Sequence, residues 1–166
     1  GFCLPAGPLR EPVKRLQQVD FIVVNGAEQL NKNEYVLTLI PDVFYPLINP
    51  AKNILLEELK NKTIHAVAGI GNPARFFQTL RLLGLQIIEH PFSDHYLFTK
   101  NNFNFIKENE IIMMTEKDAV KCETFADDRF YCLRVKADMS AVFAETLLSK
   151  IKAIKNNNVN AQRLAY

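Results

Sequence analysis

Apolar residues recur along this chain in two rhythms. Short β-branched and aliphatic runs read as strands, and stretches spaced by three or four residues read as helices that cover them. Asp20–Val24 (DFIVV) is the first strand, closed by a turn at Asn25-Gly26, and Tyr35–Ile40 (YVLTLI) is the second, stopped by Pro41. Thr63–Ala68 (TIHAVA), Leu85–Ile88, Glu110–Met114 (EIIMM) and Phe130–Val135 (FYCLRV) follow. Between them, Phe76, Phe77, Leu80 and Leu83 recur at helical spacing. Asn72 suits the N-cap of that helix, Pro73 its first position and Gly84 its end. Glu116–Phe125 predicts a further helix, and Ser140–Ile154 a long amphipathic one with Val142, Leu147, Leu148 and Ile151 on one side. Glu11-Pro12 opens a short helix through Gln18, and Phe103–Lys107 is a helical turn. Residues 1–12 read as an ordered loop, and His90–Tyr96 as another. Pro41–Pro50, with three prolines, reads as a linker, which places a domain boundary near residues 41–52. The tail from Asn156 is expected to fray.

Strands alternating with helices predict an α/β fold, a mostly parallel sheet flanked by helices on both faces. Ligands of such sheets gather at the carboxyl ends of the strands. The composition agrees: 48% hydrophobic and 23% charged residues suit a globular chain and argue against disorder. A net charge of +2, without a long basic run, gives no reason to expect a nucleic-acid partner. The three cysteines, Cys3, Cys122 and Cys132, form no CxxC pair, which suits a reducing compartment without a zinc site or disulfide framework. No apolar run reaches the length of about 18 residues that a membrane span needs. Gly1–Pro5 lacks both the charged and the apolar region of a signal peptide and reads as the continuation of a longer chain.

Four constellations fall at predicted strand ends or in loops. Gly69-Ile70-Gly71-Asn72-Pro73-Ala74-Arg75 is a glycine turn between strand and helix, where backbone can approach an anion. Taken alone, plain strand-to-helix contact is the weightier reading of it. In Phe92-Ser93-Asp94-His95-Tyr96 a histidine beside a carboxylate can transfer or orient a proton, or can be an ordinary loop histidine. His65 and His90 are weaker candidates, and no metal follows from the histidines. Thr115-Glu116-Lys117-Asp118 opens a helix. Thr115 as N-cap with Asp118 at the third position explains it slightly better than a base-reading loop does. In Arg10-Glu11, Arg10 can clamp a phosphate and Glu11 can serve a sugar hydroxyl or a metal, while a surface ion pair is the ordinary alternative.

Taken in order, LPAGPLREP (4–12), VVNG (23–26), AVAGIGNPARFF (66–77), FSDHY (92–96) and MTEKDAVKC (114–122) resemble the C-terminal part of tetraacyldisaccharide 4'-kinases, to about residue 155. The resemblance implies a Rossmann-like C-terminal lobe of a P-loop kinase-like two-lobe enzyme. Residues 1–48 would end the N-terminal catalytic lobe and its linker, 49–158 would form the C-terminal lobe, and 159–166 a frayed tail. The implied activity transfers the γ-phosphate of ATP, with Mg²⁺, to the 4'-hydroxyl of tetraacyldisaccharide 1-phosphate. The product would be lipid IVA, made at the cytoplasmic face of the inner membrane of Gram-negative bacteria. The resemblance implies His95 and Asp94 as catalytic residues. His95 would pair with a catalytic Asp of the N-terminal lobe, and Asp94 would orient it. Arg10 and Glu11 would lie near the phosphates and metal. Gly69, Gly71, Asn72, Arg75, Thr115, Lys117 and Asp118 would line the substrate cleft. The main ATP and Mg²⁺ ligands, and the segment that meets the membrane surface, would belong to the N-terminal lobe. These 166 residues contain no GxxxxGK(S/T), so the stretch by itself is expected to be soluble and inactive. Two alternatives stand beside this. One is a non-catalytic α/β module binding a nucleotide or anionic sugar at Gly69–Arg75. The other is a structural fragment with exposed apolar surface at Phe2, Phe21–Val24 and Tyr35–Ile40.

Overall fold

The computed structural model describes residues 1–26, 31 and 34–163. Six strands join in one sheet of order β1-β2-β6-β5-β3-β4. They are β1 (Ile22–Asn25), β2 (Glu34–Pro46), β3 (Ile64–Ala68), β4 (Ile87–Pro91), β5 (Ile111–Thr115) and β6 (Phe130–Met139). The pairs β1–β2, β3–β4, β3–β5 and β5–β6 are parallel. The helices are α1 (Leu56–Leu59), α2 (Pro73–Leu82), α3 (Glu116–Cys122) and α4 (Ala141–Arg163). The chain divides into two compact units, Gly1–Ile40 with Ala137–Tyr166, and Pro41–Lys136. The boundary thus falls at the start of the prolines, and α4 belongs with the first unit.

The second unit carries the core. All five residues of β3 are buried, as befits a central parallel strand. Side chains alternate across a strand, so Ile64, Ala66 and Ala68 join one apolar cluster with Phe76, Phe77 and Leu80 of α2. Val67 joins the other cluster, with Ile112 and Met114 of β5, Ala119 and Cys122 of α3, and Phe103 and Phe130. Burial pushes the Cys122 thiol up to about 12 and the Cys132 thiol up to about 11, which makes both poor nucleophiles. Helix α2 starts as its sequence dictates: Asn72 Oδ1 accepts from the Arg75 N–H at 3.2 Å and Pro73 takes the first position. It ends at Gly84, whose φ of 81° only glycine adopts freely.

His65 is buried. Its Nε2 lies 3.2 Å from Glu110 Oε2 and its Nδ1 2.9 Å from His90 Nε2. The Glu110 carboxylate accepts from Nε2–H of His65, and in the bond between the two rings one ring nitrogen donates and the other accepts. Burial first, and then the neighbouring His65, hold the His90 pKa below its ordinary 6.5. The unfolded chain therefore binds this proton more readily. Stability is fully present above the unfolded value and is lost as pH falls through it towards the folded one. The urea midpoint should drop between about pH 7.5 and 5.5, and His90→Gln should flatten that drop.

In the first unit, β1 and β2 pair, and Phe143 of α4 meets Phe21 and Tyr35 edge-on at 5.5 and 4.9 Å. Phe2, Val23 and Leu39 are exposed. Lys150 pairs with Asp20 at 2.6 Å. Val13–Gln18 form the expected short helix, of the 3₁₀ type.

Three element predictions are corrected. Pro41 does not stop β2, which runs on to Pro46. The register of β1 ends at Leu37, before Pro41, and Phe44 further along bridges to Ile54, so Pro41 falls between these paired stretches and β1 makes no demand on the N–H that proline lacks. His90 and Pro91 belong to β4 rather than to the following loop. Helix α4 runs past Asn156 to Arg163, and residues 164–166 of the expected tail lie outside those described.

Candidate functional site

Three adjacent parallel strands end side by side. Register pairs Ala68 with Pro91 across β3–β4 and Val67 with Met114 across β3–β5. The segments that follow, Gly69–Asn72, Phe92–Tyr96 and Thr115–Asp118, therefore leave the sheet at one level. This is the edge at which α/β sheets hold ligands.

Asp118 ties the first segment to the third. Its side chain is wholly buried. Oδ2 accepts from the Gly69 N–H at 3.0 Å and from the Thr115 hydroxyl at 2.9 Å, and Oδ1 accepts from Lys121 Nζ at 2.8 Å. Thr115 caps α3 by accepting from the Asp118 N–H at 3.3 Å, as the sequence pattern suggests. Every carboxylate oxygen of Asp118 is thus engaged inside the protein. It differs here from the expectation that it faces a cleft: it braces the wall and presents nothing to solvent.

Asp94 ties the second segment to the third. Lys117 Nζ donates to Asp94 Oδ1 at 2.8 Å, and the His95 N–H donates to the same oxygen at 3.0 Å. The hydrogen bond from Lys117 is the main reason why the Asp94 carboxyl stays below its ordinary range. His95 Nε2 lies 3.6 Å from Asp94 Oδ2, close enough for charge attraction to an imidazolium but long for a hydrogen bond. The His95 side chain is 77% exposed, and its backbone sits at a φ of 61°, the left-handed region. In and after the same turn the rings of Phe92, Tyr96 and Phe98 meet one another tilted or edge-on, at 4.6–5.1 Å between centroids.

The two glycines of the first segment differ. A Cβ on Gly69 would come within 3.2 Å of the Ser93 carbonyl and 3.3 Å of the Tyr96 and Phe98 side chains. One on Gly71 would meet only Asp94 Oδ2, at an ordinary 3.7 Å. Gly69→Ala should therefore cost about 1–3 kcal/mol as an overpacking change, and Gly71→Ala no more than about 0.5 kcal/mol. Urea denaturation of the two variants checks this, and equal losses would show that the crowding at Gly69 relaxes freely.

The structure brings together Gly69, Gly71, Asp94, His95, Thr115, Lys117 and Asp118. Asn72 and Arg75 stand at the start of α2 beside them, with Arg75 exposed. Arg10 and Glu11 belong to the first unit. Both are exposed, and Glu11 Oε2 pairs with Arg15 Nε at 3.1 Å, the ordinary ion-pair alternative. Sequence reasoning missed Lys121 as the countercharge of Asp118. Its signal was present, since residues three apart on a helix share a face. Among the described residues there is no group of three or more His, Cys, Asp or Glu side chains that could hold a metal ion. No helix among them is long and apolar enough to cross a membrane.

Fold and site together define a largely parallel α/β protein whose candidate chemistry lies where β3, β4 and β5 end. The family model for tetraacyldisaccharide-1-P 4'-kinase matches residues 1–152. A tetraacyldisaccharide 4'-kinase of Coxiella burnetii (strain Dugway 5J108-111) is 51% identical over 137 residues, covering 82% of this chain and 38% of the relative. One of Methylobacillus flagellatus is 42% identical over 159 residues, covering 96% of this chain and 47% of the relative. The crystal structure of "apo" form LpxK from Aquifex aeolicus in complex with ATP superposes with a TM-score of 0.61 at 25% identity, covering 92% of this chain and 48% of that one. The chain belongs to the tetraacyldisaccharide 4'-kinase family, and it spans less than half the length of these relatives.

Proposed function

We propose that this chain is the C-terminal part of an ATP-dependent kinase that phosphorylates the 4'-hydroxyl of tetraacyldisaccharide 1-phosphate to give lipid IVA, a step of lipid A biosynthesis. The observation that carries the reading is the family match over residues 1–152, which includes all three strand-end segments. In this reading the strand-end wall faces the lipid disaccharide. His95 receives the 4'-hydroxyl proton, directly or through the carboxylate that the family resemblance sets opposite it, as the oxygen attacks the γ-phosphorus. The new O–P bond forms as the bond to the departing ADP breaks. Asp94 orients His95. Gly69, Gly71, Asn72, Arg75 and Thr115 shape the wall, with Arg75 the cation able to meet an anionic group of the substrate. Arg10 and Glu11 serve the phosphate side. Magnesium, when bound, neutralises charge on the transferred phosphoryl group. No ligand set for it is assigned to these residues. The work takes place at the cytoplasmic face of the inner membrane, with no nucleic-acid partner.

The test is transfer of radiolabelled γ-phosphate from ATP to tetraacyldisaccharide 1-phosphate by the intact protein as its gene encodes it. Label in the lipid product at the 4' position supports the reading. Tight ATP binding without any transfer would favour the non-catalytic module instead.

A further inference from the structure

The adjacent pair Lys117-Asp118 reaches in two directions. Asp118 turns inward and fixes the turn after β3 through the Gly69 N–H, while Lys117 turns outward and holds Asp94 in the turn after β4. We propose that Lys117 is a positioning residue for His95, acting through Asp94, and not itself a ligand of the substrate. This rests on the kinase reading above.

The geometry of His95 is what requires such a device. Its side chain is largely solvent-exposed, so contact with the core does not place it. Its backbone is held in a left-handed conformation that a residue with a Cβ adopts at a cost and keeps only when its surroundings over-determine it. Three bonds do so. The Phe92 N–H donates to Ala68 O at 2.8 Å, the Tyr96 N–H donates to Ser93 O at 3.1 Å, and Asp94 Oδ1 receives the His95 N–H itself. The first two fix the ends of the turn. The third fixes its apex, and depends on where the Asp94 carboxylate stands. Lys117 sets that position at 2.8 Å. Lys117 is itself well anchored, since it follows the cap Thr115 and precedes the buried Asp118.

Both partners of the Lys117–Asp94 pair are about half exposed, so the pair adds little to stability. Its contribution should be visible in catalysis. A misplacement of a reacting group by about 1 Å can cost about a hundredfold in rate, and release of the turn should cost roughly ten- to a hundredfold.

The experiment compares Lys117→Met and Lys117→Arg in the intact protein, measuring kcat and KM for ATP and for the lipid disaccharide, with NMR of the His95 amide alongside. Lys117→Met should lose roughly tenfold or more in kcat with both KM values within about twofold. Lys117→Arg, which can still donate to Asp94, should recover most of the loss. In a His95→Ala background Lys117→Met should have little further effect, because the two act as a unit. The His95 amide signal should shift and exchange faster in Lys117→Met and return towards its original behaviour in Lys117→Arg. A raised KM with unchanged kcat would make Lys117 a substrate ligand and overturn the proposal. An unmoved His95 amide would overturn it as well. An inactive wild-type protein would defeat the kinase reading and the catalytic consequence with it, while the amide measurement would still decide whether Lys117 holds His95.

Discussion

Replacing His95 with alanine in the intact protein should lower kcat by roughly a hundredfold or more, the scale of general acid–base assistance, and leave the fold nearly untouched. The two effects separate because of where His95 sits. Its imidazole is exposed at the apex of a turn, so its removal opens no cavity. The backbone remains at a φ of 61°, where alanine is no better off than histidine. His95→Gly makes a sharp control. Glycine adopts that conformation without strain, so the variant should be at least as stable in its folded form, although the unfolded chain gains freedom. It should lose activity as His95→Ala does. If both variants keep the wild-type kcat, His95 has no part in the proton transfer. If His95→Ala loses activity and His95→Gly keeps it, backbone shape and not the imidazole is what matters there.

The sheet-and-helix alternation was legible because parallel strands buried on both faces read as unbroken apolar runs. Thr63–Ala68 and Glu110–Met114 are such runs, and each lies within a residue of its strand. Helix α2 was legible from its ends as much as from its face, since Asn72, Pro73 and Gly84 each have one favoured place. The continuation of β2 through Pro41 was not legible. Whether a proline breaks a strand depends on whether a neighbour needs its N–H, and that neighbour, β1, is set by tertiary pairing. The short α1 offers only one buried residue, Leu59, and no periodicity to detect. At the site, the residues were legible as a set because they follow strands, but their roles within it were not. Lys117 and Asp118 are neighbours in sequence with opposite fates, one half exposed and one sealed. Only the folded chain shows which of them meets the Gly69 N–H.

That sealed carboxylate sets the second large expectation. Asp118→Ala should destabilise the chain by about 3 kcal/mol or more, because removing one partner of a buried ion pair strands the others. Three donors lose their acceptor: the Gly69 N–H, the Thr115 hydroxyl and the Lys121 ammonium. Lys121 is the least penalised of them, since its side chain is 20% exposed and can swing towards water. The Gly69 N–H has no such escape, because its residue is buried under Ser93, Tyr96 and Phe98. Asp118→Asn separates the contributions. Its amide oxygen can still accept from Gly69, while the charge that faces Lys121 is gone, so the loss should fall to roughly half that of alanine. Urea denaturation read by circular dichroism measures both. A loss below about 1 kcal/mol for alanine would mean that the turn after β3 stands without its brace, and Asp118 would then have to be explained by what the site does rather than by what holds it up.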